Sequence, residues 1–143
     1  MSVTPRHHAR ELALQALYAV EMGAEPPDDD FANIVEGEEK PAKASIEYAT
    51  GLFKLAQTHS EWADGEISRL AENWVLERIA CIDRNILKLA MIELEHLPDV
   101  PIKVVLNEAI ELAKKFSTPE SSKFVNGILD SFVKGMEERQ GSV

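Results

Sequence analysis

Apolar residues recur three and four positions apart along most of this chain, which is the spacing of a helix that buries one face. No stretch alternates apolar and polar residues convincingly, and no hairpin turn motif joins two such stretches. The pattern therefore predicts an all-α protein. At 143 residues, the chain has the length of a single domain, 1–143, with room for a real core.

Two helix starts combine a capping threonine with a proline at the first helical position, where a backbone N–H would have no partner anyway. Thr4 and Pro5 begin a helix that is expected to end near Gly23, and Thr118 and Pro119 begin a last helix that runs to about Glu138. The stretch 23–44 is rich in proline, glycine and acidic residues, which predicts an irregular acidic loop.

Between these helices the periodicity predicts a long helix from Ser45 with a break near Gly65, and then a shorter helical piece. The most apolar element follows, capped by Asp83 and ended by Pro98, and it should form the central helix. A further helix begins at about Pro101, and its inward row is Ile102, Val105, Ala109, Leu112 and Phe116.

The formal net charge of −10 is unevenly distributed. Eight of the acidic residues lie in the segment 21–39, which contains no lysine or arginine. The rest of the chain is close to neutral, so local charge is a better guide to partners than net charge.

The sequence offers no pattern typical of an enzyme: no nucleophile with a base, no metal cluster and no phosphate-binding glycine loop. His7 and Glu11 are four residues apart, a spacing that could hold a metal but more often forms a surface pair. The lone Cys81 is expected to be a core thiol. These features predict a non-enzymatic cytoplasmic protein without cofactor, metal or membrane segment.

On a helical wheel, one face of the first helix is apolar, with Ala9, Leu12, Ala13, Ala16, Leu17 and Val20. The opposite face carries His7, Glu11, Gln15 and Tyr18, flanked by Arg6, His8 and Arg10. Cations for phosphate and a ring for stacking suit single-stranded nucleic acid. The alternative is that Tyr18 covers a neighbouring helix and the arginines are ordinary solvated charges.

A second polar strip lies near the start of the last helix. Phe124 is on the border of its apolar face, with Lys123 and Asn126 on the polar side. Gly127 costs about 1 kcal/mol of helix propensity relative to alanine, which indicates a close approach by another helix or by a ligand.

Three segments resemble the NusB family of transcription antitermination factors: "RHHARELALQALYAVEM", "NEAIELAKKF" and "KFVNGILD". The resemblance implies two helical bundles packed side by side, about seven helices in all, divided here into 1–75 and 76–138. It further implies binding to boxA single-stranded RNA of nascent ribosomal transcripts, as a heterodimer with the small-subunit ribosomal protein NusE. That complex would join RNA polymerase and other Nus factors, without catalysis.

Carried over by position, the RNA-binding residues implied by the resemblance are Arg6, His7, His8, Arg10, Gln15, Tyr18, Lys123, Phe124 and Asn126. The family motif is commonly richer in arginine where this chain has His7 and His8. Imidazole is ordinarily charged only near or below about pH 6.5, so RNA binding is expected to weaken between about pH 6 and pH 8.

The family's partner-binding surface implies Glu77, Arg78 and Arg84 as candidates for contact with NusE. Self-association into a homodimer is also possible for this family. One alternative is a helical protein adaptor of the transcription complex that does not bind RNA. Another is an RNA methyltransferase fused to such a bundle, and 143 residues leave no room for its cofactor-binding domain.

Overall fold

The computed structural model describes residues 5–23, 42–71 and 79–141, and these contain six α-helices and no β-strand. The helices are α1 (Pro5–Glu21), α2 (Lys43–Thr58), α3 (Ser60–Leu70), α4 (Cys81–His96), α5 (Ile102–Phe116) and α6 (Pro119–Gly141). The all-α prediction is confirmed, and six described helices compare with about seven expected.

The helices form two units, one containing α1 and α2 and the other beginning at His59. In the first unit α1 and α2 pack on each other. The buried stripe of α1 meets buried residues of α2, which are Ser45, Ala49, Leu52, Phe53 and Ala56. This division differs from the predicted boundary after residue 75, because α3 packs on α4 and α6.

The second unit is built around α4, which contacts α3, α5 and α6. Every residue of α4 from Asn85 to Leu94 is buried, as expected for a central helix. Two of the buried side chains are charged, and one of them, Lys88, donates to Ser60 Oγ at 2.9 Å and lies 3.3 Å from Asp64 Oδ1. This buried polar contact joins α3 to α4.

Two helix boundaries differ from the prediction. The break after α2 is at His59, and Gly65 lies inside α3. The His59 ring stacks on His96 at 4.1 Å between centroids, a tertiary contact that the sequence pattern does not encode. Asp83 is not the cap of α4, because Ala80 occupies that position and Asp83 lies in the first turn.

Other boundaries agree with the local chemistry. Pro5 is the first residue of α1. At the start of α6, Thr118 Oγ1 accepts a hydrogen bond from the Ser121 backbone N–H at 3.2 Å, as a capping threonine should. Gly23 ends the turn after α1 with a φ of +101°, a conformation that favours glycine. Thr4 and most of the predicted acidic loop lie outside the described residues.

Candidate nucleic-acid interface

The exposed face of α1 carries most of the predicted RNA-binding side chains. Arg6 and Gln15 are exposed, His7 and His8 are half-buried, and Tyr18 is 40% exposed. The opposite face is buried against α2, so His7, His8, Gln15 and Tyr18 lie on the side that remains accessible. The prediction that Tyr18 lies on the exposed side of α1 is confirmed.

Arg10 does not lie on that exposed face, and its predicted exposure is wrong. Arg10 is only 3% exposed. The buried stripe of α1 is wider than the wheel indicated, because it includes Leu14, which lies one helical turn beyond Arg10 on the same side. Val20, expected in the stripe, is half-buried.

The guanidinium groups of Arg6 and Arg10 both approach the Tyr48 ring of α2. The distances from Cζ to the ring centroid are 5.0 Å for Arg6 and 5.8 Å for Arg10, within the range of cation–π attraction. Sequence reasoning missed Tyr48. Its only signal is an aromatic residue beside the buried Ala49, and a cross-helix contact cannot be read from the periodicity of either helix alone.

The His7 imidazole lies beside an acidic side chain. His7 Nε2 is 3.3 Å from Glu11 Oε1, so the spacing of four residues does form a surface pair. When His7 is protonated, this carboxylate offsets part of the charge that a phosphate would encounter. Among the cationic side chains of α1, Arg6 is the exposed one, and its charge is permanent.

The second predicted patch lies on α6, in the other unit. Lys123 and Asn126 are exposed and Phe124 is half-buried. Gly127 is also exposed, and a methyl group added there would meet no atom within 4 Å. Among the described residues, no other helix therefore packs closely on this glycine.

Phe124 lines a cavity of about 230 Å³ between the starts of α4 and α6, together with Ile79, Ala80, Asp83, Thr118, Glu120 and Ser121. Asp83 is 6% exposed and its Oδ2 accepts a hydrogen bond from Ser121 Oγ at 2.8 Å. Ser117 Oγ donates to the same Ser121 oxygen at 2.8 Å. This hydroxyl chain holds a buried carboxylate beside Phe124 and joins α4 to α6.

The predicted partner-binding residues are only partly visible. Glu77 and Arg78 lie outside the described residues. Arg84 is half-buried in the first turns of α4.

Cys81, expected in the core, is half-buried, and its Sγ lies 3.5 Å from Asn85 Nδ2.

The described residues include no group of three or more His, Cys, Asp or Glu side chains that could share a metal ion. Among the described helices, none combines the length and the apolar character that crossing a bilayer requires.

The fold and this surface define a small all-helical protein that displays cations, an amide and an aromatic ring on one helix. A model of the NusB family matches residues 7–134. Transcription antitermination protein NusB of Symbiobacterium thermophilum is 43% identical over 144 residues, which cover 96% of this chain and 94% of that protein. The protein of the same name from Anaeromyxobacter dehalogenans is 43% identical over 131 residues and 92% of each chain.

Solved structures of NusB proteins also match this chain. A crystal structure of antitermination factors NusB and NusE in complex with dsRNA matches with a TM-score of 0.80 and 30% identity, over 92% of this chain and 97% of that one. Thermotoga maritima NusB matches with a TM-score of 0.77 and 38% identity, over 93% of each chain. The chain therefore belongs to the NusB family, whose members named here are transcription antitermination factors.

Proposed function

We propose that this protein binds the boxA element of nascent ribosomal transcripts as a heterodimer with NusE. The observation that carries the proposal is the exposed surface of α1, where Gln15 and Tyr18 lie on the side away from α2 and the exposed Arg6 lies beside the Tyr48 ring of α2. The similarity to a NusB that is solved with NusE and dsRNA supports NusE and RNA as partners. The wider role is to join RNA polymerase with other Nus factors and suppress premature termination, in the cytoplasm and without catalysis.

Single-stranded RNA fits this face better than a duplex. The ring of Tyr18, a residue that is 40% exposed, can stack on a base only when that base is itself unstacked, as it is in a single strand. Arg6 supplies a phosphate contact, and the Gln15 amide can both donate and accept hydrogen bonds. The proposed RNA-binding residues on α1 are Arg6, His7, His8, Gln15 and Tyr18. Arg10 is buried, so its proposed contribution is indirect.

The α6 patch, with Lys123, Phe124 and Asn126, is a separate proposed RNA contact. Lys123 provides a cation, and the exposed Gly127 leaves space for close approach of an RNA strand. For NusE, the proposed contact residues are Glu77, Arg78 and Arg84. Self-association of the protein would compete with these contacts if the same surfaces were used.

A second candidate function is an adaptor that binds NusE without selecting RNA. It is favoured by the burial of Arg10 and by the Glu11 carboxylate beside His7, because both reduce the charge that this chain presents to phosphate. The methyltransferase alternative finds no support in the relatives, which are antitermination proteins of similar length.

Fluorescence anisotropy with a labelled boxA RNA and a scrambled RNA, each with and without NusE, separates the two functions. The proposal predicts selective binding to boxA that NusE strengthens. Equal binding of the two RNAs contradicts it. Binding to NusE together with no RNA selectivity identifies the adaptor.

A further inference from the structure

Tyr48 is the residue of α2 that both arginines of α1 contact. Its half-buried ring has the Arg6 Cζ at 5.0 Å and the Arg10 Cζ at 5.8 Å from its centroid. Arg6 and Arg10 are four residues apart, so they lie one above the other on the same side of α1. The tyrosine therefore links an exposed arginine to a buried one.

The two arginines differ in what they can do. Arg10 is 3% exposed, so its side chain is held in place by its surroundings and cannot reach a ligand without moving. Arg6 is exposed, so its guanidinium can reach a phosphate. The Tyr48 ring therefore contacts both the buried guanidinium of Arg10 and the exposed guanidinium of Arg6.

A free arginine side chain samples many rotamers and loses that freedom when it binds. A ring contact restricts the side chain before binding and so lowers the ordering cost. Stacking uses the face of the guanidinium, whereas hydrogen bonds to phosphate use its N–H edge. An arginine held against a ring therefore keeps its phosphate-binding edge.

We propose that Tyr48 is a positioning residue for RNA binding, which holds the Arg6 guanidinium in an orientation that a phosphate can use. The inference rests on the proposed function of the α1 face. It adds a residue of α2 that does not itself contact RNA, and it gives the buried Arg10 a part in the site through its contact with the same ring.

The test compares Tyr48→Leu with Tyr48→Phe in boxA binding across a salt series in the presence of NusE. Loss of the ring in Tyr48→Leu is expected to weaken binding about two- to fivefold, and Tyr48→Phe to bind as wild type does. The log–log salt slope should be unchanged in both, because no phosphate contact is lost. Arg6→Gln should instead reduce that slope by about 0.7.

A double-mutant cycle measures the coupling between Arg6 and Tyr48 in RNA binding. In an Arg6→Gln background, Tyr48→Leu should cause no further loss of RNA affinity, since the group that it positions is gone. A purely structural role would lower thermal stability and leave the two losses additive. Lys114→Gln is the charge-matched control, since Lys114 is an exposed cation of α5 paired with Glu111 at 3.9 Å.

Nuclear magnetic resonance of the free protein provides a readout that needs no RNA and no destabilised variant. Arg6 δ-proton resonances should be shifted upfield by the ring in wild type and in Tyr48→Phe. Random-coil shifts in both overturn the proposal, as does wild-type RNA affinity in a folded Tyr48→Leu. If wild type fails to select boxA, the proposed function itself fails, and the Arg6 shifts still report whether the ring contact exists.

Discussion

At the scale of single residues, the proposed RNA binding by α1 depends on the surroundings of each charge. Arg6 and Arg10 are the same residue type one turn apart, and one is exposed while the other is buried beside Tyr48. His7 has Glu11 at 3.3 Å. We therefore expect the exposed Tyr18 ring and the Arg6 guanidinium to supply the largest part of the RNA affinity of this helix.

Replacing Tyr18 tests the stacking contact. Tyr18→Ala should weaken boxA binding by about 5- to 150-fold, since stacking of one base on an aromatic ring contributes about 1–3 kcal/mol. The salt slope should be unchanged because no cation is removed, and Tyr18→Phe should bind nearly as wild type does. Fluorescence anisotropy gives both quantities. A Tyr18→Ala protein with wild-type affinity and intact NusE binding contradicts the stacking role.

The histidines should make RNA binding depend on pH. Protonated imidazole adds positive charge, so affinity is expected to fall as the pH rises from about 6 to 8. His7→Ala and His8→Ala should each remove part of this dependence. Dissociation constants at three pH values check the effect. An unchanged pH slope in the double variant His7→Ala with His8→Ala would rule out these side chains as its source.

At the scale of helices, boundaries set by local chemistry were predictable and those set by tertiary contacts were not. Pro5 and Pro119 start helices because proline suits the first helical position. At the break after α2, His59 stacks on His96, a tertiary contact that the periodicity of the chain does not show. The burial of Arg10 depends on how α2 covers α1, which the wheel of one helix cannot show.

The hydrogen bond from Ser121 to Asp83 should stabilise the contact between α4 and α6. Ser121→Ala removes the hydroxyl donor of a carboxylate that is 6% exposed, which should cost about 1–3 kcal/mol in the free energy of unfolding. Ser122→Ala is the matched control, since its hydroxyl donates to the exposed Pro119 carbonyl at 2.8 Å. Urea denaturation measures the free energy of unfolding of both variants. Equal stability of the two variants would show that the buried contact contributes nothing.

Gly127 allows stability and binding to be separated on α6. Gly127→Ala and Gly135→Ala should each raise the free energy of unfolding by about 0.5–1 kcal/mol, because both positions are helical and an added Cβ meets nothing within 4 Å. Only Gly127→Ala should weaken RNA binding, since Gly127 adjoins Lys123 and Asn126. Identical RNA affinities of the two variants would remove the ligand explanation for this glycine.

At the scale of the whole molecule, charge distribution matters more than net charge. The chain carries −10, and eight of its acidic residues lie in the segment 21–39. Repulsion of phosphate by this acidic segment is therefore expected, and the proposed short-range contacts on α1 and α6 must overcome it. Family membership, shown over residues 7–134, accounts for the overall function more directly than composition does.

The most direct test of the central claim is to map the RNA-contacting residues by nuclear magnetic resonance, using isotope-labelled protein, unlabelled NusE and boxA RNA. Addition of RNA to the preformed heterodimer should shift the signals of Arg6, Gln15 and Tyr18 on α1 and of Lys123 and Asn126 on α6, and scrambled RNA should not. Shifts confined to other helices, or equal shifts with both RNAs, would contradict the assignment of α1 and α6 as the RNA interface.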